Sequence, residues 1–503
     1  MSSESPSLET LRTAFRDALN ASALHDARQI ALAMLERSGD ATDAHMDMTD
    51  VLLAMGEARR AKRHITVSLR QDGPNPRVMT QLGAARGALW DTKGACEAFH
   101  QVVNMTPHDA EAWANLANAL LRDADLCRAE QAITTALSLN DKHAEIQTIA
   151  GSIAMAQGAL AKAGTHLSEA VRLAPDDPET RYKLGLQHLA CGNFETGWSL
   201  HEFGLQAPQR RLEHSIEVWS GESLTDKTLY IAAEQGVGDE VMFASCLPEL
   251  IESHPNTRIL LDCDPRLKET LQRSFPSIQV LGLRGSHLDE DGISSDDIDY
   301  QISIGSLPKL YRRTLDEFPS RTKYLYADKS RAMCLGAKLP SDKSTLTVGV
   351  AWRGGGLPHT LKARTVPLPC WHPILETPSV RFVNLQFGNT DKDINKLSQV
   401  SHVTLAGLEL DGYKDLDGVM AALTNLDLLI SVDNSLIHFA GALGVKTWTL
   451  IPFAADWRWM RDRIDTPWYP TVELIRREQG EALPALMERV SRKLDALVSA
   501  HQK

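Results

Sequence analysis

At 503 residues the chain exceeds what one hydrophobic core organises, so about two to four domains are expected. A formal net charge of -12 and a pI near 5.8 argue against general affinity for phosphate backbones, which needs clustered Lys and Arg, so nucleic acid is not an expected partner. The seven cysteines show no CxxC pairs and no His at metal spacing, which suits buried thiols in a reducing compartment and gives neither disulfides nor a metal site. The N-terminus lacks a basic segment followed by an apolar one, and no window has the apolar length of a membrane span. A cytoplasmic protein without a membrane span is expected.

The first two-fifths repeats itself. Ala27, Ala61, Ala95, Ala129 and Ala163 recur at a step of 34 residues, with Gly197 on the next. Gly56, Gly158 and Gly192 keep the same step, as do Leu82, Leu116 and Leu184, with Gly83, Gly151 and Gly185 one residue behind that leucine register. Small residues at such intervals fit two helices crossing closely in a hairpin. The larger Phe99, Ile133 and Leu167 fit the packing of one hairpin on the next. Pro107, Pro175 and Pro208 stand near repeat boundaries, where a helix must stop. The register predicts about six hairpins from Leu8 to Pro208. It resembles the tetratricopeptide repeat (TPR) family, which implies a concave groove holding an extended peptide or a partner helix. Scaffolding of self-association is the plainer alternative.

After Gln209 short β-rich runs alternate with helical stretches. TLYIAAE (228–234), RILLDCD (258–264) and IDYQISI (298–304) form one set. TVGVAW (347–352), RFVNLQ (381–386), LDLLISVD (426–433) and KTWTLIP (446–452) form another. Two α/β sets predict two Rossmann-like lobes. The expected division is a repeat array over 1–209, one lobe over 210–340 and a second over 341–503 with a terminal helix. Ligands of such sheets bind beyond the carboxyl ends of the strands, and four segments stand there.

In EQGVGDEVMF (234–243), Gly236 and Gly238 allow a tight turn that leaves Asp239 near a helix start. A carboxylate there can take a proton from an acceptor hydroxyl, or merely cap the helix. In AWRGGGLPHTLKARTVPL (351–368), Arg353, His359, Lys362 and Arg364 follow a strand that ends in glycines, as a phosphate-binding loop or a solvated basic one would. In ISVDNSLIHFAGALG (430–444), Asp433 ends a strand and a helix opens at Asn434 or Ser435. Its first N–H groups, the Ser435 hydroxyl and His438 one turn on can receive a phosphoryl oxygen, or Asp433 and Asn434 only cap the helix. In PFAADWRWMRDR (452–463), Trp457 and Trp459 stand around Asp456 and Arg458, as one wall of a nucleotide pocket or only as lobe packing.

At these four segments the second half resembles the catalytic modules of bacterial TPR-fused glycosyltransferases. Those modules are similar to ADP-heptose heptosyltransferases and, more distantly, to protein O-GlcNAc transferases. The resemblance matches Asp239 to a catalytic Asp, Lys362 and Arg364 to a phosphate-binding stretch, and Asp433 to His438 to a donor-site Asp-Thr-x-x-x-His motif in which Asn434 replaces Thr. It implies the two-lobed GT-B architecture, metal-independent inverting transfer from a nucleotide sugar, no cofactor, and a client protein held by the repeats. The arrangement resembles that of alphaproteobacterial flagellin glycosyltransferases, whose client is flagellin and whose sugar is a nonulosonic acid. A non-catalytic adapter with a transferase-like module, or a transferase acting on a glycan or lipid, are the competing expectations.

Overall fold

The computed structural model describes residues 6–38, 41–206, 212, 215–284, 288, 292–339, 344–355, 358–399 and 405–502. The boundaries expected at 209 and 340 both fall outside these residues. The described chain forms two compact units. One comprises Met1–Gln157 with Thr165–Ala174, the other Gly158–Gly164 with Pro175–Lys503.

From Leu8 to His201 the described chain is a succession of twelve helices, in six consecutive pairs. Ala27, Ala61, Ala129 and Ala163 have no exposed surface and Ala95 is almost as buried, as expected where helices cross closely. Gly197, on the same register, has even less room: a Cβ there would lie 2.6 Å from Leu189 Cδ2. The Phe99 ring lies over Gly83 of its own helix pair, where an added Cβ would come within 2.7 Å, so this residue packs inside its hairpin rather than only between hairpins.

The second glycine series has a different cause from the alanines. Ser22, Gly56, Trp90, Ala124, Gly158 and Gly192 are spaced 34 apart, and all six have positive φ. Each follows the first helix of a pair. At Ala124 the N–H bonds to Leu121 O and the next N–H, of Asp125, bonds to Leu120 O, both at 3.0 Å, so the left-handed residue satisfies the last carbonyls of its helix. Glycine adopts that conformation without strain, whereas a Cβ costs about 1 kcal/mol. Ala124→Gly is therefore expected to stabilise the protein by about 1 kcal/mol in urea unfolding. An unchanged or lower midpoint would contradict that account.

The second unit holds two five-stranded parallel sheets. The strands are β1 Glu217–Val218, β2 Thr228–Ala232, β3 Arg258–Leu261, β4 Gln279–Val280, β5 Tyr300–Ser303, β6 Leu346–Ala351, β7 Val380–Asn384, β8 Leu428–Val432, β9 Thr447–Ile451 and β10 Val472–Arg476. Their orders are β1-β5-β2-β3-β4 and β10-β9-β8-β6-β7, consistent with two Rossmann-like lobes. Strands β6, β8 and β9 are buried along their whole length, the apolar signature of a parallel sheet covered on both faces. The strand order reverses between β2 and β5 in the first sheet and between β6 and β8 in the second, and such reversal points open a crevice at the strand ends.

Candidate functional site

A cleft of about 520 Å³ opens at those strand ends. Its lining brings together Gly236, Gly238, Asp239, Arg353, Arg364, Asp433, Asn434, Ser435 and His438. Register explains part of this: Ala351 pairs with Ser431, so the chains leaving β6 and β8 run side by side. Asn434 Nδ2 then donates to Arg353 O at 3.2 Å, and a Cβ on Gly354 would lie 3.1 Å from Asp433 O.

Asp239 is not at the cap position, which Gly236 occupies. It lies three residues into the short helix Val237–Phe243, and its Oδ2 accepts the Gly236 N–H at 3.1 Å. Its Oδ1 accepts from Arg458, which comes from the other lobe. Gly238 is required by close packing, since a Cβ there would meet His438 Cδ2 at 2.9 Å.

The cations are already engaged. Arg364 Nε lies 3.1 Å from Asp433 Oδ2 and its Nη2 donates to Asp456 at 3.2 Å. Arg458 Nη1 donates to the same Asp456 at 2.6 Å. Asp239, Arg458, Asp456, Arg364 and Asp433 thus form one alternating chain of charge. Burial raises the carboxyl of Asp433 above its ordinary range, although Arg364 opposes this. Burial also acts upward on Asp456, but Arg458 and Arg364 outweigh it and hold that group low. Arg353 lies 3.4 Å from Asp393 and donates to Asn389 O at 3.0 Å.

Asn434 caps the helix Ser435–Leu443: its Oδ1 accepts the Leu436 N–H at 3.0 Å, so the amide performs the capping that a Thr hydroxyl could. His438 Nδ1 hydrogen-bonds the Tyr469 hydroxyl at 2.9 Å and its ring stacks on Trp459. Burial pushes this imidazole down to about 4; Asp239 opposes the shift and Arg458 adds to it. The ordinary value is 6.5, so the stability gained from a neutral His438 is complete above that pH and drains as pH falls toward 4. His438→Gln is expected to flatten the fall in urea-measured stability across this window. An unchanged acid limb would show that His438 does not contribute to it.

Of the four remaining expected residues, three lie elsewhere. Lys362 is exposed on the helix Pro358–Ala363 and does not line the cleft. His359 belongs to the same helix, but its side chain is outside the described residues. Asp456 stands behind the lining, where it holds Arg364 and Arg458. Trp457 packs against Trp198 and His201 of the last helix pair, with ring centroids 5.5 and 6.0 Å apart, and does not line this cleft.

Arg458, which the sequence places in the segment of the pocket wall, does line the cleft, whereas sequence reasoning did not select Arg266, Gln386, Phe387 and Tyr413, which also line it. Gln386 and Phe387 follow β7, so the strand-end rule applied to that strand would have found them. Arg266 and Tyr413 are joined across the lobes by a hydrogen bond of 2.7 Å from Nη1 to the backbone carbonyl, which no local pattern signals. Among the described residues no group of three or more His, Cys, Asp or Glu is placed to hold a metal ion, and no helix is long and apolar enough to cross a membrane.

A tetratricopeptide-type helical array followed by an α/β unit of two parallel sheets is thus the class that the fold defines. The chain is 28% identical to Protein FlbA of Caulobacter vibrioides over 437 residues, 76% of this chain and 72% of FlbA. Solved structures similar to it include a thermophilic TPR protein of Thermus thermophilus, with 22% identity and TM-score 0.32 over 34% of this chain and 93% of that one. A tetratricopeptide repeat protein of Parabacteroides merdae is similar at 14% identity and TM-score 0.32, over 39% of this chain and 78% of that one. No family model matches the chain.

Proposed function

We propose that this protein is a GT-B glycosyltransferase that moves a sugar from a nucleotide-activated donor to a Ser or Thr hydroxyl of a client held by the repeats. The client in this reading is flagellin and the sugar a nonulosonic acid, as the resemblance implies. The observation that carries the proposal is the cleft itself: a carboxylate from one lobe faces arginines and a capped helix start from the other, across a volume suited to a small ligand. In the reaction Asp239 takes the acceptor's O–H proton and the freed oxygen attacks the anomeric carbon. The bond from that carbon to the phosphate oxygen breaks, the electron pair leaves with the phosphate, and direct displacement inverts the centre. Arg353, Arg364 and the helix start at Ser435 face the charge that develops on the phosphate.

Calorimetric titration of the full chain with UDP, GDP, ADP and CMP, followed by intact-mass analysis of flagellin from cells with and without this protein, tests the proposal. Binding of one nucleotide and loss of a sugar-sized mass in its absence are expected. Binding without any mass difference would support the adapter reading. That alternative is favoured by one observation, the engagement of Arg364 and Arg458 with carboxylates, which leaves less uncompensated positive charge for a donor.

A further inference from the structure

We infer that Arg458 is a positioning residue for Asp239, and that the turns inside the fifth and sixth helix pairs set Arg458 in place. This rests on the transferase reading of the cleft and adds to it a physical link from the repeats to the proposed base.

The guanidinium of Arg458 is nearly enclosed, with 13% of the side chain exposed. One nitrogen, Nη2, donates to both Asp239 Oδ1 and, at 3.2 Å, Gln235 Oε1, the two residues that flank Gly236 and Gly238 on the turn. The other, Nη1, holds Asp456 at 2.6 Å, and the plane sits 4.6 Å above the Trp457 ring. A planar fork with three polar partners and an aromatic floor has one orientation available. A lysine ammonium could not make the same set of contacts.

The segment that carries Arg458 is fixed from its other side. Arg461 donates to Gly158 O at 2.7 Å, and its guanidinium lies 4.2 Å over the Phe453 ring. A Cβ at Gly158 would approach Phe453 Cε1 within 3.2 Å, and one at Gly192 would approach Met460 Cε within 3.0 Å. Gly158 and Gly192 are the left-handed residues of successive repeats, so two equivalent turns face one loop. Trp457 adds its contact with Trp198. Arg476 of β10 ties the loop to the sheet by donating to Met460 O at 2.8 Å and Trp459 O at 3.2 Å. Met460 itself is held at φ 48°, a strained conformation for a side chain of this size. The segment 453–461 thus has repeat turns on one side and Asp239 on the other.

Three variants of the full chain test the link: Arg458→Lys, Arg458→Ala and Arg461→Ala. Amide hydrogen exchange is followed over residues 234–243 without nucleotide, and turnover is measured with CMP-N-acetylneuraminic acid, UDP-N-acetylglucosamine, GDP-mannose and ADP-glucose. Exchange in the glycine-rich turn is expected to quicken in all three variants. With whichever sugar nucleotide the wild type consumes, kcat should fall by roughly ten- to a hundred-fold while KM changes less than about two-fold, because a small misplacement of a reacting group is costly without loss of binding. Added guanidinium should restore part of the kcat of Arg458→Ala.

Unchanged exchange and kcat in Arg458→Lys would overturn the positioning role. The same result in Arg461→Ala alone would overturn the link to the repeats. If the wild type consumes none of the four sugar nucleotides, the transferase reading loses its support, and the exchange measurements still decide whether Arg458 holds the turn.

Discussion

Asp239→Asn is expected to slow sugar transfer by roughly two to four orders of magnitude while nucleotide affinity stays within about two-fold. The amide preserves the size of the side chain and can still accept the Gly236 N–H, so the turn should persist. What it removes, in the proposed reaction, is the capacity to take the acceptor's proton. Turnover and calorimetric Kd measured on the same preparation separate the two effects. Near-normal transfer would reduce Asp239 to a helix-end and ion-pair role. A collapse of nucleotide binding would place it in donor recognition.

Arg364→Met should lower stability by about 3–5 kcal/mol, the usual range when one partner of a buried ion pair is removed. Asp433 is only 4% exposed, and Arg364 opposes the effect of burial upon it more than Arg458 does. Without that cation its carboxyl rises further, so the native state of the variant holds a proton that the unfolded chain releases. Stability then falls as pH rises, and the deficit should be largest at alkaline pH and shrink toward acid pH. Urea unfolding of both proteins across pH 4 to 8 reads this directly. A deficit that does not vary with pH would mean that lost packing, not an orphaned carboxylate, accounts for it.

The repeats were legible because their period is long and each position has one physical demand. The alanine register reports close crossing, which any sequence comparison along the chain reveals. The left-handed register was half hidden, because Trp90, Ala124 and Ser22 occupy places where glycine would have marked it. In the α/β unit, the long apolar strands could be read directly. The two-residue β1 and β4 could not, since they are too short to show any alternation, and the five-residue β10, which is only partly buried, was not selected.

The cleft was legible where a strand end coincides with glycines or a helix start, as at Gly236, Arg353 and Asn434. It was not legible where charge is settled between lobes. Arg364 looked like a free cation in the sequence and is paired with two aspartates in space. Arg458 looked like one more residue in an aromatic run and holds Asp239 from 219 positions away. Pairings of that kind depend on which strand ends face one another, and no local spacing encodes it.

The recurrent left-handed residue also makes the array a modular ruler. Within each repeat the first helix ends on the same backbone state, and in two of them the second helix then opens on an aspartate cap, Asp91 or Asp125. Excising residues 57–90 would join Gly56 to Asp91 in the conformation that Trp90 now hands on. The frame of every later helix would be preserved. Array length can therefore change by whole 34-residue repeats without changing the register of the helices that follow.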